Sequence, residues 1–466
     1  MLVTSIALVV RPVTDTDLWL HVATGRWIVE HGRLPVHDLF TYTVPSHHWV
    51  DHEYLSELFL WFVQSHLGLA GVSVAGGVVT WLGLLLVLAA CRPRSQPYVV
   101  TGLALALGAL AGAPIWGARP QTVTFTLVAL ELLWLRRCLD DGDRAILWLP
   151  AVMVLWSNLH GGWPLAFLFL GLAMAATPWL APDRRLSTLR RLALVAVLSA
   201  IAVGINPNGL AIYAYPFQTL GSAVQQSVIA EWASPNFHLV DLRAFEVMVL
   251  LLVVGLALHR PPAFDVLVAL AGLALALESV RNVAIFVAAA TPVLAASWSG
   301  VWRRLPARPR PAPPRWAPVL GAVTLLAVAA VIVTRTAGEL ARQPALTAQA
   351  VPVGAANWLA AHPDTGTRMF NEYAWGGYLA DRFFPDPERR VYILSEGVLM
   401  GDAQLLRYRE VATLGPDWRR ILDEDRVDYV VFDRGSALDV VLATDPGWRL
   451  AYRDATAVVY VRAGGG

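Results

Sequence analysis

Long apolar runs, separated by short polar segments, occupy the first two-thirds of the chain. A helix that crosses a bilayer needs about 20 such residues, and several of the runs are shorter than that. The pattern therefore predicts about eleven membrane-spanning helices. They fall in the opening run and near residues 68–91, 98–116, 122–139, 145–157, 163–180, 190–206, 244–259, 264–279, 283–299 and 317–334.

The pattern changes after residue 335, where short β-rich runs mix with amphipathic helical stretches. The β-rich runs are 367–371, 390–394, 428–433 and 457–462, and the helical stretches include 353–361 and 418–425. The predicted fold class is an α-helical polytopic membrane protein with a C-terminal soluble α/β domain. The predicted domains are 1–335, in which an outer loop at 14–66 carries interfacial helices, and 336–466.

Composition and charge agree with a bilayer environment. The chain is 56% hydrophobic and only 15% charged, and its net charge of +1 predicts no nucleic-acid partner. Arginines collect in every second loop, which the positive-inside rule assigns to the cytoplasm. The predicted localisation is therefore the inner (cytoplasmic) membrane, crossed several times, with residues 336–466 extracytoplasmic. Two cysteines are too few for a disulfide framework.

The first outer loop carries the clearest candidate chemistry. Asp15 and Asp17 follow the opening apolar run, and an amphipathic stretch with Trp19 and Trp27 comes next. Such a stretch is suited to the membrane surface, where an ionised carboxylate beside a hydroxyl acts as a general base. Asp15 and Asp17 are thus the candidate catalytic residues. The alternative is that one of them caps the helix that begins near Leu18.

The second half of this loop concentrates His, Asp and Glu. Asp51 and Glu53 are candidate substrate-binding residues, and together with His47, His48 and His52 they are possible ligands for a divalent cation. No spacing among them is diagnostic of a particular metal, so the cofactor stays unknown. The alternative is a polar interfacial loop that leads into a helix over 53–64.

Several motifs of this loop resemble the first outer loop of C-type (GT-C fold) glycosyltransferases, which are related to protein mannosyltransferases and the lipid A aminoarabinose transferase. The resemblance covers residues 1–70 in motifs and 1–335 in helix layout. Close relatives show adjacent Asp-Glu where this chain has Asp-Thr-Asp, which leaves the choice of base open. The motifs are Asp-x-Asp-Leu-Trp19, Gly25-Arg26-Trp27-Ile, His31-Gly32-x-x-Pro35-x-x-Asp38-x-Phe40-x-Tyr42 and Trp49-x-x-x-Glu53-Tyr54-Leu55.

The resemblance implies transfer of a sugar from a polyprenyl-phosphate carrier to a cell-envelope lipid, glycan or protein on the outer face. A phosphate leaving group needs cationic stabilisation. The outer-face candidates are Arg26, Arg119, Arg243 and Arg281. Arg281 and Arg119 are favoured because they lie at helix ends near the membrane surface. The alternatives for them are snorkelling or an ion pair with Glu278.

Two further outer segments are candidates for sugar binding. Glu231 and Trp232 form an acidic–aromatic pair beside a proline turn, although aromatic residues are common at any membrane interface. Asn158 and His160 lie in a tight turn before paired glycines, and they either bind sugar hydroxyls or satisfy the turn.

Two other classes of function remain open. A transporter or lipid flippase would carry charges along a pathway inside its helices, whereas Glu131 is the clearest mid-helix charge. A non-catalytic membrane scaffold would use residues 336–466 to bind an envelope partner. The predicted partners of a glycosyltransferase are the lipid bilayer, the lipid-linked sugar and the acceptor.

Overall fold

The structure, a computed structural model, describes residues 2–91, 97–304, 314–384 and 386–463. The chain is mostly helical and divides into two compact units. Unit one comprises Met1–Arg11, Ser73–Gly209 and Glu231–Ala341. Unit two comprises Pro12–Val72, Leu210–Ala230 and Arg342–Gly466, so the first loop and the C-terminal segment belong to one unit.

Helices account for most of both units. In chain order they are α1 (Leu2–Val9), α2 (Leu18–His31), α3 (Tyr54–Ala90), α4 (Tyr98–Ala111), α5 (Gln121–Asp141), α6 (Leu149–Leu159), α7 (Pro164–Ala176), α8 (Pro182–Val203), α9 (Ala211–Leu220), α10 (Ala223–Val228), α11 (Arg243–Leu258), α12 (Ala263–Glu278), α13 (Val283–Trp302), α14 (Ala317–Ala341), α15 (Gln343–Ala350), α16 (Val353–Ala361), α17 (Gly376–Phe383), α18 (Gly397–Ala412), α19 (Trp418–Glu424) and α20 (Ala437–Leu442).

A helix lies in every apolar run that the sequence pattern singles out. Among the described residues, four helical segments are long and apolar enough to cross a membrane: Tyr54–Ala90, Pro182–Val203, Val280–Trp302 and Ala317–Ala341. The remaining apolar helices are shorter or carry more charge. The helical class is therefore confirmed, while the number of crossings stays a prediction.

Unit one is built around α13, whose residues 283–295 are all buried. Small residues bring its neighbours close. A Cβ at Gly108 of α4 would lie 2.5 Å from Thr291 Oγ1, and one at Gly272 of α12 would lie 2.9 Å from the Ala289 Cβ. Such small-residue contacts are how membrane helices pack tightly without a hydrophobic driving force. In α14, by contrast, Ile332 is the one buried residue.

Helix α3 is interrupted where the sequence pattern separates an interfacial helix from a spanning one. Gly68 has φ 65° and ψ −171°, a conformation that residues with a side chain rarely adopt. The helix over 54–67 and the run from 69 onward are thus two helices joined at this glycine. The break lies at the start of the apolar run 68–91, after the alternative helix over 53–64.

Unit two contains a four-stranded sheet in the order β1-β2-β4-β3. The sheet shares one buried apolar cluster with residues of the first loop, such as Leu20 and Phe40, and with helices of the C-terminal segment, such as Leu405 of α18. β1 pairs with β2 in parallel, and the other neighbours are antiparallel. The strands are β1 (Met369–Asn371), β2 (Tyr429–Asp433), β3 (Trp448–Arg453) and β4 (Ala457–Arg462).

Three of the four predicted β-rich runs are strands, and the run 390–394 is not. It is extended and buried, but it forms only isolated bridges, from Val391 to Thr41 and from Arg390 to Arg368. The side chain of Asn371 accepts the backbone N–H of Tyr392 at 2.8 Å, in place of a strand partner. The predicted strand at 390–394 is therefore wrong.

The glycine pair at 376–377 serves packing within unit two. A Cβ at Gly376 would lie 2.1 Å from the Ile393 oxygen, and one at Gly377 would lie 2.7 Å from the Leu20 nitrogen. Helix α17 therefore rests directly on the backbone of α2, which only residues without a side chain allow. The close approach that these glycines permit is to protein backbone.

Candidate active site

Asp15 and Asp17 stand at the start of α2, both half-buried. Asp15 Oδ1 accepts the N–H of Asp17 at 3.1 Å, which fixes the turn into the helix. Asp17 occupies the N-cap position of α2, but its side chain makes no capping hydrogen bond. The capping alternative therefore does not hold for Asp17. The backbone of this turn presents both carboxyl groups at one end of α2.

Much of the rest of the loop motif builds the scaffold for these carboxyls. A Cβ at Gly25 would lie 2.3 Å from the backbone oxygen of Glu57, so glycine lets α2 lie against the start of α3. Gly32 ends α2 in the left-handed conformation, with φ 64°. The buried Asp38 accepts the N–H groups of Phe40 and Thr41, at 3.1 Å and 3.1 Å. These motif residues have structural roles.

A group of ionisable side chains in unit two follows Asp17 along the first loop. His21 lies between Glu57 of α3 and Glu53, which directly precedes α3. Its Nδ1 is 3.4 Å from Glu57 Oε1, and its Nε2 is 3.8 Å from Glu53 Oε2. His52 Nε2 contacts Glu53 Oε1 at 2.8 Å. We call His21, Asp51, His52, Glu53 and Glu57 the first-loop cluster.

Residues from elsewhere in unit two complete the surroundings of this cluster. The His52 ring stacks on Tyr215 of α9, with centroids 3.9 Å apart. The Tyr215 hydroxyl donates a hydrogen bond of 3.1 Å to Glu396, which directly precedes α18. Tyr215 and Glu396 are not among the predicted site residues. Glu396 closely follows the run 390–394. An acidic residue at the end of such a run is the one sequence signal that could have marked Glu396 as a site residue.

The environment of the first-loop cluster favours protonated groups. Burial raises the pKa of Asp51 well above its usual range, and the nearby charge of Glu57 raises it further. Burial also raises the pKa of Glu396. Burial lowers the pKa of His52, but the charge and hydrogen bond of Glu53 outweigh this, so that the pKa is raised. Burial and neighbouring charges therefore favour the protonated forms of Asp51, His52 and Glu396.

The side chains of the first-loop cluster are not arranged as a metal site, and a divalent cation stays a prediction. Among the residues that the structure describes, no group of three or more His, Cys, Asp or Glu side chains could hold a metal ion. The imidazoles of His21 and His52 instead face carboxylates at 3.4 Å and 2.8 Å. A cation would have to displace these contacts, so no catalytic step is assigned to a metal.

A second group of candidate residues lies in unit one. Arg119 forms an ion pair with Glu231, and the guanidinium of Arg281 lies 4.6 Å from the centre of the Trp232 ring. Ser279 holds the segment in place, because its hydroxyl donates a 2.7 Å hydrogen bond to the backbone oxygen of Glu231. We call Arg119, Glu231, Trp232 and Arg281 the arginine cluster.

The charges of the arginine cluster do not cancel. Burial raises the pKa of Glu231, but Arg119 and then Arg281 lower it more strongly, so the carboxyl is ionised and its pKa lies below its usual range. One carboxylate next to two guanidinium groups leaves one positive charge. Arg119 and Glu231 are 27% and 32% exposed, so a ligand can reach them. The cluster is suited to an anion such as a phosphate.

The remaining predicted residues are occupied within the fold. The Asn158 amide donates hydrogen bonds to the Val154 and Ile205 carbonyls, at 2.6 Å and 2.9 Å. His160 Nδ1 accepts the Gly162 N–H at 3.0 Å and contacts Thr124 Oγ1 at 2.7 Å. Both side chains are buried. These contacts are what the turn-satisfying alternative predicts, and sugar binding by either residue stays a prediction.

The two other outer arginines have acidic partners on their own helices. Arg26 contacts Glu30 at 2.8 Å, and Arg243 contacts Glu246 at 2.7 Å. For Arg281, whose alternatives are snorkelling or a pair with Glu278, the contact that the structure gives is with the Trp232 ring. Glu131 is fully buried in α5, and neither of its carboxyl oxygens has a hydrogen-bond partner among the described residues.

The chain shares its fold with solved glycosyltransferase structures, which confirms the resemblance at the level of fold. Among solved structures, the chain is similar to oligosaccharyltransferase AglB from Archaeoglobus fulgidus tethered to an acceptor peptide (TM-score 0.53, 12% identity, 99% of this chain and 73% of that one). It is also similar to arabinofuranosyltransferase AftD from Mycobacteria (0.51, 15%, 100% and 40%) and to ArnT from Cupriavidus metallidurans (0.50, 15%, 98% and 95%). No protein-family model and no curated protein sequence matches the chain.

Proposed function

We propose that the protein is a membrane glycosyltransferase that takes a sugar from a polyprenyl-phosphate carrier. The acceptor is a lipid, glycan or protein of the cell envelope, and the reaction takes place on the outer face of the inner membrane. The observation that carries the proposal is the pair Asp15 and Asp17 at the start of α2, in a chain with the fold of the C-type glycosyltransferases.

The reaction assigns a distinct task to each group of residues. The carboxylate of Asp17 or Asp15 removes the proton from the acceptor hydroxyl, whose oxygen attacks the anomeric carbon of the sugar. The bond between that carbon and the carrier phosphate breaks, and the phosphate leaves with the bonding electrons. Arg281 and Arg119 stabilise the negative charge that develops on it.

The supporting residues extend this assignment. Glu231 orients Arg119 through their ion pair, and Trp232 holds the Arg281 guanidinium by stacking. The half-buried Trp232 ring beside the Glu231 carboxylate is also suited to a sugar. Asp51 and Glu53 belong to the first-loop cluster, where Glu53 contacts both His21 of α2 and His52. C-terminal residues 342–466 are proposed to contribute to acceptor recognition.

The solved structures of similar fold support a lipid-linked reaction of this kind. One is an oligosaccharyltransferase with an acceptor peptide, and another is an arabinofuranosyltransferase. At 12% and 15% identity they say nothing about which sugar this chain transfers or which acceptor it uses.

The test is transfer of radiolabel from a panel of polyprenyl-phosphate sugars to envelope acceptors in membranes. Wild type is compared with Asp15→Asn, Asp17→Asn and Asp51→Asn, and Asp241→Asn serves as the matched control because Asp241 is exposed. A general base contributes about 100-fold or more to a rate. We expect one of Asp15→Asn and Asp17→Asn to lower transfer by at least this factor at equal expression.

Two results would contradict the proposal. Wild-type membranes that transfer label from none of the donors would favour a transporter or a scaffold. Transfer that survives both Asp15→Asn and Asp17→Asn would leave the enzyme class intact but remove these residues as the base. A loss confined to Asp51→Asn would move the base to the first-loop cluster.

A further inference from the structure

Unit one contains a cavity of about 180 Å³ that the candidate active site does not use. A buried water molecule needs roughly 10–15 Å³ of such volume, so the cavity accommodates a larger ligand. It lies where α5, α12 and α13 come together. The residues that decide its chemistry are Arg136, His259, Arg260, Pro262, Asp265 and Arg303.

Among the residues that line the cavity, Arg136 is unusual because its charged side chain is buried. Its side chain is only 5% exposed, and its Nε donates a 2.7 Å hydrogen bond to Asp265. Its Nη2 donates to the backbone oxygen of Ala289 at 3.2 Å. Its Nη1, although buried, has no hydrogen-bond partner among the described residues. A buried guanidinium nitrogen without an acceptor is costly, and an anion in the cavity would remove that cost.

The charge around the cavity also favours an anion. Among the lining residues, Arg136 and Arg260 supply two positive charges and Asp265 supplies one negative charge, while Arg303 is a further cation with a contact of its own. The surplus is therefore positive whether or not His259 is protonated. Helix α12 begins at Ala263, directly after Pro262, and no side chain caps this end. Its first N–H groups and its dipole add to the positive potential.

The cavity and the arginine cluster lie at opposite ends of the same helices. Arg281 lies just before the start of α13 at Val283, and Arg303 directly follows the end of α13 at Trp302. The 20 residues of this helix span about 30 Å, which is the thickness of the hydrocarbon core of a bilayer. The cavity therefore faces the side that the distribution of arginines assigns to the cytoplasm.

We propose that this cavity is a second anion site, which binds a phosphate group. The phosphate belongs either to a lipid head group of the inner leaflet or to a free phosphate in solution. In both cases Arg136 Nη1 donates to a phosphate oxygen, and Arg260 and Arg303 complete the cationic surroundings. The proposal does not depend on the sugar-transfer reaction, because none of these residues belongs to the candidate active site.

Two probes distinguish the sources on purified full-length protein. Inorganic phosphate is titrated calorimetrically in a neutral detergent at low ionic strength. Retention of phosphatidic acid is measured by native mass spectrometry, with diacylglycerol as the lipid that lacks the phosphate. Phosphate binding in detergent indicates a soluble anion, and selective retention of phosphatidic acid alone indicates a lipid head group.

The variants are chosen so that neither Arg136 nor Asp265 is left as a buried charge without its partner. Arg136→Gln is combined with Asp265→Asn, because removal of one charge alone would strand the other. Arg137→Gln is the matched control, since Arg137 is the exposed neighbour on α5 and does not line the cavity. A charge-assisted hydrogen bond corresponds to about tenfold or more in affinity.

We expect the double variant to bind its probe at least about tenfold more weakly than wild type and Arg137→Gln. The proposal is overturned if wild type binds neither probe, or if the double variant binds as tightly as wild type. If the double variant does not fold, Arg260→Gln combined with Arg303→Gln changes only exposed residues of the cavity rim. Unchanged binding in that variant would equally overturn the proposal.

Discussion

Gly377 lies so close to Leu20 that a Cβ at residue 377 would come within 2.7 Å of the Leu20 nitrogen. This contact joins α17 of the C-terminal segment to α2, the helix that Asp17 begins. The position of the candidate base thus depends on a residue that lies far from it in the sequence. It also depends on the absence of a side chain there.

Gly377→Ala tests this dependence. We expect it to lower the free energy of unfolding by about 1–3 kcal/mol, because the backbone of α2 would have to move away from the new methyl group. The loss is measured as a lower thermal unfolding midpoint of the purified protein. Gly171→Ala is the control, since a Cβ at Gly171 of α7 has nothing within 4 Å. Equal midpoints for the two variants would contradict the packing argument.

Arg281 is expected to act on the donor phosphate, as the proposed function requires. Arg281→Gln should raise the KM for the lipid-linked donor by about tenfold, because it removes a charge-assisted contact. Arg281→Lys keeps the charge but not the planar group that stacks on Trp232, so its KM should be intermediate. Steady-state kinetics measure both, with Arg243→Gln as the exposed control. A KM unchanged in Arg281→Gln would remove Arg281 from the donor site.

The first-loop cluster predicts a stability that falls as the pH rises. The pKa of His52 is raised, so its contribution is fully present below the unfolded value of about 6.5 and is lost as the pH passes the folded pKa. The raised pKa values of Asp51 and Glu396 act in the same direction, because ionisation is harder in the folded chain. Asp51 contributes most fully below about 3.9 and loses its contribution as the pH passes its folded pKa.

The measurement is the unfolding midpoint between about pH 5 and 8, in wild type and in Asp51→Asn. The wild-type midpoint should fall over this range, and Asp51→Asn should fall less steeply because one of the groups no longer ionises. Asp241→Asn, an exposed acid, should follow the wild-type curve. A slope that is the same in Asp51→Asn and wild type would show that Asp51 is not the group that titrates.

A substitution of Asn158 distinguishes a structural role in its turn from a role in sugar binding. Asn158→Ala removes the side-chain donor to the Val154 and Ile205 carbonyls, which should cost about 1–3 kcal/mol of stability. Thermal unfolding measures this loss, and Asn357→Ala at an exposed position of α16 is the control. A normal unfolding midpoint together with a raised donor KM would instead favour a role in sugar binding.

The helices could be predicted from the sequence because each spanning or interfacial segment carries its own signal. Apolar length marks the runs, and Gly68 marks the break between two of them. Strand β3 could not be predicted in the same way. It is one of the two edge strands of the sheet, and its residues from Arg449 onward are exposed or half-buried, so it lacks an apolar run.

The candidate site could be predicted only where its residues are close together in the sequence. Asp15 and Asp17 follow one apolar run, and Asp51 and Glu53 precede another. Tyr215 and Glu396 join the same surroundings from distant segments, and only folding brings them together. Likewise, nothing near Arg119 in the sequence shows that its partner is Glu231.

The exposure of α14 has a consequence for how the chain tolerates change. Its 25 residues span about 37 Å, and almost none of its side chains is held by other parts of the protein. What the lipid requires of such a helix is length and hydrophobicity, not a particular order of residues. Exchanges among the leucines, valines and alanines of α14 should therefore be tolerated. Substitutions of the small residues that pack on α13 should be tolerated far less.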